Sequence, residues 1–271
     1  WRRAWLLCFL ALLVATALPA GGQEEHVAAC AFATIMLSED FLQCTTVLVQ
    51  SILATGTKHD VVVLVIPEIG AEAREILRAA GATHVVEAQE VTNPNAIVLY
   101  RVFAKNYGIL RVWQLQALTG VPYKRAVYMD GDMVMTQNSD ELCLSPEFSA
   151  ARDMGAPGNR DGHMEEFNAG LMVLQPSEER FQELLDLAPH VGSPSGGVQP
   201  LLRAAFPEWN RLDHTRDNVN AHMFQHQHGA WDLSRIRSIH YTGPVKPCFT
   251  DPEDSAGKPD DEPFRIWHGL R

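Results

Sequence analysis

AVYMDGDMVMTQNSDEL, residues 126–142, sets two aspartates, Asp130 and Asp132, directly after an apolar run with only Gly131 between them. KRAVYMD reads as a strand whose last residue is Asp130. In an open α/β sheet, ligands bind in the crevice beyond the carboxyl ends of the strands, which is where this acidic pair falls. D-x-D spacing across a glycine allows a tight turn, so that both carboxylates can converge on one hard cation, Mg2+ or Mn2+. Such a cation would neutralise a diphosphate leaving group. The plain alternative is an acidic turn that holds nothing, and D-G-D alone does not decide between the two.

Neighbouring segments place this strand in a sheet. VAACAFATIML, residues 27–37, is apolar without helical period, and Ser38-Glu39-Asp40 caps the helix FLQCTTVLVQSILATG that ends at Gly56. HDVVVLVIPEIG, residues 59–70, is a continuous β-branched run closed by Pro67 and Gly70, the pattern of a parallel strand buried on both faces. AEAREILRAAG is a short helix stopped at Gly81, THVVEAQEV another strand, and residues 92–108 an irregular connection. LRVWQLQAL is expected to be helical up to Gly120. Residues 149–166 form a Gly-rich polar excursion, and NAGLMVLQPS a strand and turn. SEERFQELLDLA is an amphipathic helix opened by Ser177, VGSPSGGVQPLL a loop entering a helix, and IRSIHY a last strand. Alternation of this kind predicts one α/β domain with helices on both faces of the sheet.

Composition fits a folded chain: of 271 residues, 46% are apolar and 20% charged, with no repeat or low-complexity tract. The formal charge of -11 argues against nucleic acid as a partner, since phosphate binding by counterion release needs clustered Lys and Arg. A divalent cation suits that carboxylate excess. WRRAWLLCFLALLVATALPAGG, residues 1–22, has two arginines, an apolar stretch and small residues with Ala15-Thr16-Ala17 as a cleavage motif. That is the layout of a secretory signal peptide; a short uncleaved signal-anchor, which would tie the chain to a membrane, is the alternative. Both put the body in the secretory pathway, in the Golgi or ER lumen or outside the cell. Outside this leader stand Cys30, Cys44, Cys143 and Cys248, enough for two disulfides, although free buried cysteines fit their irregular spacing equally.

Four segments occur in one order: AFATIMLSEDFLQCTTVLVQSIL, RVWQLQALTGVPYKRAVYMDGDMVMTQNSDEL, FNAGLMVLQPS and HYTGPVKPC. Together they resemble the glycogenin-like branch of glycosyltransferase family 8 over about residues 30–250. The resemblance implies a GT-A fold: a single Rossmann-like domain with a mixed, mostly parallel central sheet flanked by helices. It implies transfer of a sugar from a UDP-sugar with retention of configuration, and a metal, Mn2+ or alternatively Mg2+. The domain would run over residues 26–250, with 251–271 as a charged, Pro-rich tail whose FRIWHGLR end packs back on the body.

Carried over by motif, Asp130, Asp132 and His240 would hold the metal. Gly243 and Lys246 would sit on the diphosphate, the glycine by close backbone approach and the lysine by its charge. Thr34, Leu37, Ser38 and Phe41 would form the uridine pocket, with Phe41 where relatives often have tyrosine. Asn168, Ala169 and Gly170 would line the sugar, and Gln199 would lie near the anomeric carbon, making Gln199 and Lys246 the catalytic pair. Each has a plainer reading: a structural histidine for His240, a solvated lysine for Lys246, core residues for Leu37 and Phe41.

Two departures stand against the pattern. Where relatives read K-L-R-V-W, with a lysine on the donor, this chain has Ile109 before Leu110-Arg111-Val112-Trp113; Arg101 and Lys105 are the nearby cations that could compensate. The family's D-G-G-D-Q-G corresponds to Ser195-Gly196-Gly197-Val198-Gln199-Pro200, so both aspartates are absent. The stretch before the last strand contains no tyrosine, which with the leader argues against glycogen priming. His222, His226 and His228 there have the spacing of a second metal site, against the simpler reading of a polar loop face. The expected function is transfer of a hexosyl or hexuronosyl group from a UDP-sugar to a glycan, glycolipid or polyol. The alternative is an impaired member that binds nucleotide or a partner protein without turnover.

Overall fold

The computed structural model describes residues 29–95, 105–154, 166–193, 197–222, 231–243, 245–250 and 262–271. The leader, Arg101, Ser195, Gly196, His226, His228 and the segment 251–261 lie outside the described residues.

Three β-branched and apolar runs form the frame: β1 (Cys30–Met36), β2 (Asp60–Val65) and β4 (Arg125–Met129), with the short β3 (His84–Glu87) at the edge. β1 lies between β2 and β4, parallel to both, and β3 runs parallel to β2. Alternate side chains enter opposite layers, because successive residues of a strand point to opposite faces. Ala31, Ala33 and Ile35 join Val62, Leu64, Ala126 and Tyr128 on one face, whereas Phe32 and Met36 join Val61, Val63, Val65, Val127 and Met129 on the other. Both faces are therefore buried, as the unbroken apolar runs require.

The sheet continues in mixed sense. β7 (Phe167–Leu174) is antiparallel to β4 and to β6 (Ser149–Arg152), and β8 (Asn210–Leu212) runs parallel to β6. The order is β3-β2-β1-β4-β7-β6-β8; a second sheet has the order β5-β10-β9, with β5 (Met133–Met135), β9 (Val219–Asn220) and β10 (Ser238–His240).

α1 (Leu42–Ala54) and α2 (Ala71–Ala79) cover one face, supplying Leu48, Val49, Ile52, Ala73 and Leu77. The opposite face is covered by residues 105–119, α4 (Glu178–Leu187) and α5 (Gln199–Ala205). Ser177 caps α4 by accepting from Arg180 N at 3.2 Å. Of LRVWQLQAL, expected to be helical up to Gly120, the first half belongs to a 3-10 helix, Lys105–Gln114, which begins inside the stretch expected to be irregular, and only the second half is α-helical, as α3 (Leu115–Thr119). Its end is where the sequence puts it: Gly120 takes φ 75, a left-handed cap that glycine adopts without a Cβ penalty.

Both pairs of cysteines are joined, Cys30 to Cys143 and Cys44 to Cys248, which settles the open choice in favour of disulfides. α6 (Glu262–Leu270) packs on the second sheet and α1: Trp267 is buried, and Tyr241 Oη donates to Pro263 O at 2.6 Å. No helix among the described residues is long and apolar enough to cross a membrane.

Candidate metal and donor site

The chain leaves β4 at Met129 and turns through Asp130-Gly131-Asp132 into β5, closed by Met133 N donating to Asp130 O at 3.1 Å. β10 pairs antiparallel with β5, so His240 lies opposite Met133, and Tyr241 N donates to Asp132 O at 3.1 Å. Sheet register thus brings together residues more than a hundred positions apart. One ligand atom from each of Asp130, Asp132 and His240 lies within 4.8 Å of the others. His240 Nε2 is 3.2 Å from Asp132 Oδ1 and 3.7 Å from Asp130 Oδ2. Two carboxylates and an imidazole form a donor set suited to Mn2+ or Mg2+.

The orientation of His240 is fixed by a relay from the backbone. Gly170 N donates to Asn168 Oδ1 at 2.8 Å, which makes that atom an acceptor. Asn218 Nδ2 donates to the same oxygen at 3.1 Å, so Asn218 Oδ1 faces His240 Nδ1 at 2.9 Å. Nδ1 therefore carries the proton and Nε2 is the atom presented to the two carboxylates, as a metal-binding histidine requires. Asn218 holds this position at φ 60, a left-handed conformation in which asparagine is several-fold enriched. Gly170 is needed for space: a Cβ there would lie 2.3 Å from His240 Cε1.

Charge is arranged unevenly. Burial, together with the neighbouring Asp132 charge, pushes the Asp130 carboxyl up, and Tyr128 Oη donates to its Oδ1 at 2.5 Å. Burial acts on Asp132 too but is outweighed by His240 and Lys246, which hold its carboxyl well below the usual range. Burial would lower His240; the carboxylates of Asp132 and Asp130 overcome this and raise it. Lys246 Nζ contacts Asp132 Oδ2 and donates to Tyr241 O at 2.7 Å. In this arrangement Lys246 places a positive charge against Asp132, on the side of the centre where a bound cation would also act.

Gln199 opens α5 beside this centre. Its Oε1 accepts from Ala169 N at 3.0 Å and its Nε2 donates to Asp153 Oδ2 at 3.2 Å. Arg203, one turn further along α5, lies 3.8 Å from Asp153 and 2.8 Å from Glu166. Asn168, Ala169, Gly170 and Gln199 are thus brought together with His240. Gly243 follows at φ 90, over His222, whose Nε2 lies 2.9 Å from Thr242 O. That contact ties His222 to the loop backbone; His226 and His228 lie outside the described residues.

At the far side, Leu37, Ser38 and Phe41 stand half-buried beyond the end of β1, whereas Thr34 is buried within it. Thr34 Oγ1 is enclosed and has no hydrogen-bond partner among the described residues. The Ser38 hydroxyl accepts from Asp40 N at 3.3 Å, and the Phe41 ring meets Phe249 edge-on at 5.2 Å.

The departures also have places. Val198 is 3% exposed within the apolar layer, so it presents nothing polar to a sugar. Ile109 is buried in the same layer. Arg111 lies over the Phe181 ring and donates to Gln89 O, and Lys105 pairs with Glu90 at 3.1 Å. Sequence reasoning missed Asp153, Asn218 and Tyr128. Asp153 carried a usable signal, an acidic residue just past a strand, the same feature that marked Asp130; Asn218 carried none, because its role exists only through the pairing of β9 with β10.

No protein-family model matches the chain. Among curated proteins it is 29% identical over 252 residues to glycogenin-1 of Caenorhabditis elegans, covering 89% of this chain and 54% of that protein. It is 32% identical over 184 residues to UDP-glucuronate:xylan alpha-glucuronosyltransferase 1 of Arabidopsis thaliana, covering 67% of this chain and 25% of that one. The chain therefore spans only a quarter to about half the length of these relatives. Among solved structures, the galactosyltransferase LgtC with donor and acceptor sugar analogs superposes with a TM-score of 0.63 at 14% identity, over 88% of this chain and 95% of LgtC. At that identity the likeness speaks for the fold alone, and it agrees with the mixed central sheet flanked by helices. The chain belongs to glycosyltransferase family 8, in its glycogenin-like branch, and has the GT-A fold.

Proposed function

We propose that this domain is a divalent-metal-dependent, retaining glycosyltransferase that moves a hexosyl or hexuronosyl group from a UDP-sugar to a glycan, glycolipid or polyol. The observation that carries this reading is the convergence of Asp130, Asp132 and the tautomer-fixed His240 at the end of β4, with Lys246 on Asp132 and Gln199 across Ala169. Bound Mn2+ or Mg2+ would supply Lewis-acid neutralisation of the diphosphate as it leaves. Lys246, held on Asp132 and Tyr241 O, adds a cation on the same side for the leaving phosphate. Asn168 and Asp153 orient the sugar hydroxyls, and Gln199 places an amide beside the anomeric carbon, where positive charge develops. The acceptor hydroxyl attacks from the face that UDP vacates, its oxygen bonding the anomeric carbon as the bond to UDP breaks and its proton passing to the departing diphosphate. Leu37, Ser38 and Phe41 hold the uridine.

A hexuronate donor is supported by the name of the Arabidopsis relative and by the absence of both donor-side aspartates, which would repel a sugar carboxylate. Work in the secretory pathway is supported by two disulfides, which persist in oxidising compartments. UDP release measured across a panel of UDP-sugars with Mn2+ tests the reading; turnover with one donor, abolished by Asp132→Ala, is expected. The second reading, nucleotide binding without turnover, is favoured by Val198 and Ile109 lying in the apolar layer. Mn2+-dependent UDP binding with no release from any donor would establish it.

A further inference from the structure

Among the described residues of the loop that carries Lys246, Gly243, Val245 and Phe249 are exposed while Pro247 and Cys248 are buried, so its hold on the body runs through the turn at Cys248 and through the Lys246 side chain itself. Lys246 caps the 3-10 turn Pro247–Phe249, with Phe249 N donating to Lys246 O at 3.1 Å, so the lysine backbone moves with Cys248. Cys248 is bonded to Cys44, fully buried on the first turn of α1, the helix whose approach carries Ser38 and Phe41. Phe249 extends the same joint by its edge contact with Phe41.

We infer that the Cys44–Cys248 disulfide is a positioning crosslink for the donor, fixing Lys246 at the span from the uridine side of the pocket to the metal side that a nucleoside diphosphate requires. This rests on the UDP-sugar reading above and assigns to the crosslink a role in ligand recognition beyond stability. Lysine has a long, flexible stem, and its charge is useful only while the backbone beneath stays within reach of the diphosphate. Releasing the loop lowers the fraction of molecules with Lys246 in place, and apparent affinity falls by that fraction.

The test is calorimetric titration of UDP with Mn2+ into the full chain, its Cys44→Ser/Cys248→Ser variant, Lys246→Ala and the three-site combination. Val61→Ala, a core truncation in β2 away from the pocket, controls for lost stability. The double-cysteine variant is expected to raise the UDP dissociation constant by about tenfold. In the Lys246→Ala background the same change is expected to alter it by less than about twofold, since coupled residues are non-additive. Uridine, which lacks the diphosphate, is expected to bind the double-cysteine variant and the parent alike. Equal losses with and without Lys246, an equal loss in Val61→Ala, or no loss at all would overturn the inference while leaving the UDP reading intact. A parent protein that binds no UDP would overturn both. Were the serine pair not to fold, Cys44→Ala/Cys248→Ala runs through the same cycle with apolar side chains in the buried positions.

Discussion

Replacing Gly170 by alanine should disable the metal centre without replacing any of its three ligands. An alanine Cβ would stand 2.3 Å from His240 Cε1, 2.5 Å from Nδ1 and 2.8 Å from Asn168 Oδ1. Carbon contacts settle near 3.5–4.0 Å, so the imidazole must retreat by roughly 1 Å. It cannot do so freely: the ring is only 5% exposed and its Nδ1 is bonded to Asn218 at 2.9 Å. Overpacking of this kind costs about 1–3 kcal/mol, and in a chain of this size each kcal/mol lowers Tm by roughly 2–4 °C. Loss of an orienting partner lowers metal affinity by about 10–100-fold. Thermal unfolding and titration of Mn2+ followed by electron paramagnetic resonance should therefore show a lower Tm together with Mn2+ binding at least tenfold weaker. A Gly170→Ala protein with unchanged Tm and unchanged Mn2+ affinity would refute the relay from Gly170 through Asn168 and Asn218 to His240.

Three further outcomes are expected. Asn218→Ala removes the acceptor on His240 and puts alanine at φ 60, so stability and Mn2+ affinity should both fall; Asn218→Gly should restore most of the stability and none of the affinity, measured by the same pair of assays. Asp153→Ala, which cuts the Gln199 contact on the sugar side, should lower turnover by about tenfold or more with Mn2+ affinity unchanged, as read by initial rates and titration. Asp217 is buried with Oδ1 unpartnered among the described residues, and burial raises its carboxyl to about 6. Its neutral form is the one the fold accepts. This contribution to stability is complete below the unfolded value of about 3.9 and is lost as pH rises through about 6, up to about 3 kcal/mol in all. Urea unfolding from pH 4 to pH 7 should show that decline, and Asp217→Asn should flatten it.

Much of this could be read from the chain because the signals were local. The unbroken apolar runs of β1 and β2 announce strands buried on both faces, Ser177 and Gly120 mark a helix start and stop, and Asp130 closes a strand visibly. His240 was legible only through the company of its motif, and its meeting with Asp132 depends on β10 lying against β5. What escaped was tertiary. Cys30 pairs with a partner 113 residues away and Cys44 with one 204 away, distances that no spacing rule resolves. The 3-10 course of Lys105–Gln114 reflects packing of Tyr107, Leu110 and Trp113 into the core overriding helical preference. Asn218 matters only because two strands from distant parts of the sequence set it against His240.

On the proposed reading, Asp130, Asp132 and His240 form a cation site serving UDP-sugar chemistry. Measuring UDP release from a panel of UDP-hexoses and UDP-hexuronates, with Mn2+ and with chelator, in the parent and in Asp132→Ala, tests it most directly. Release from at least one donor is expected to require Mn2+ and to disappear in Asp132→Ala. Release that persists in chelator or in Asp132→Ala would contradict it.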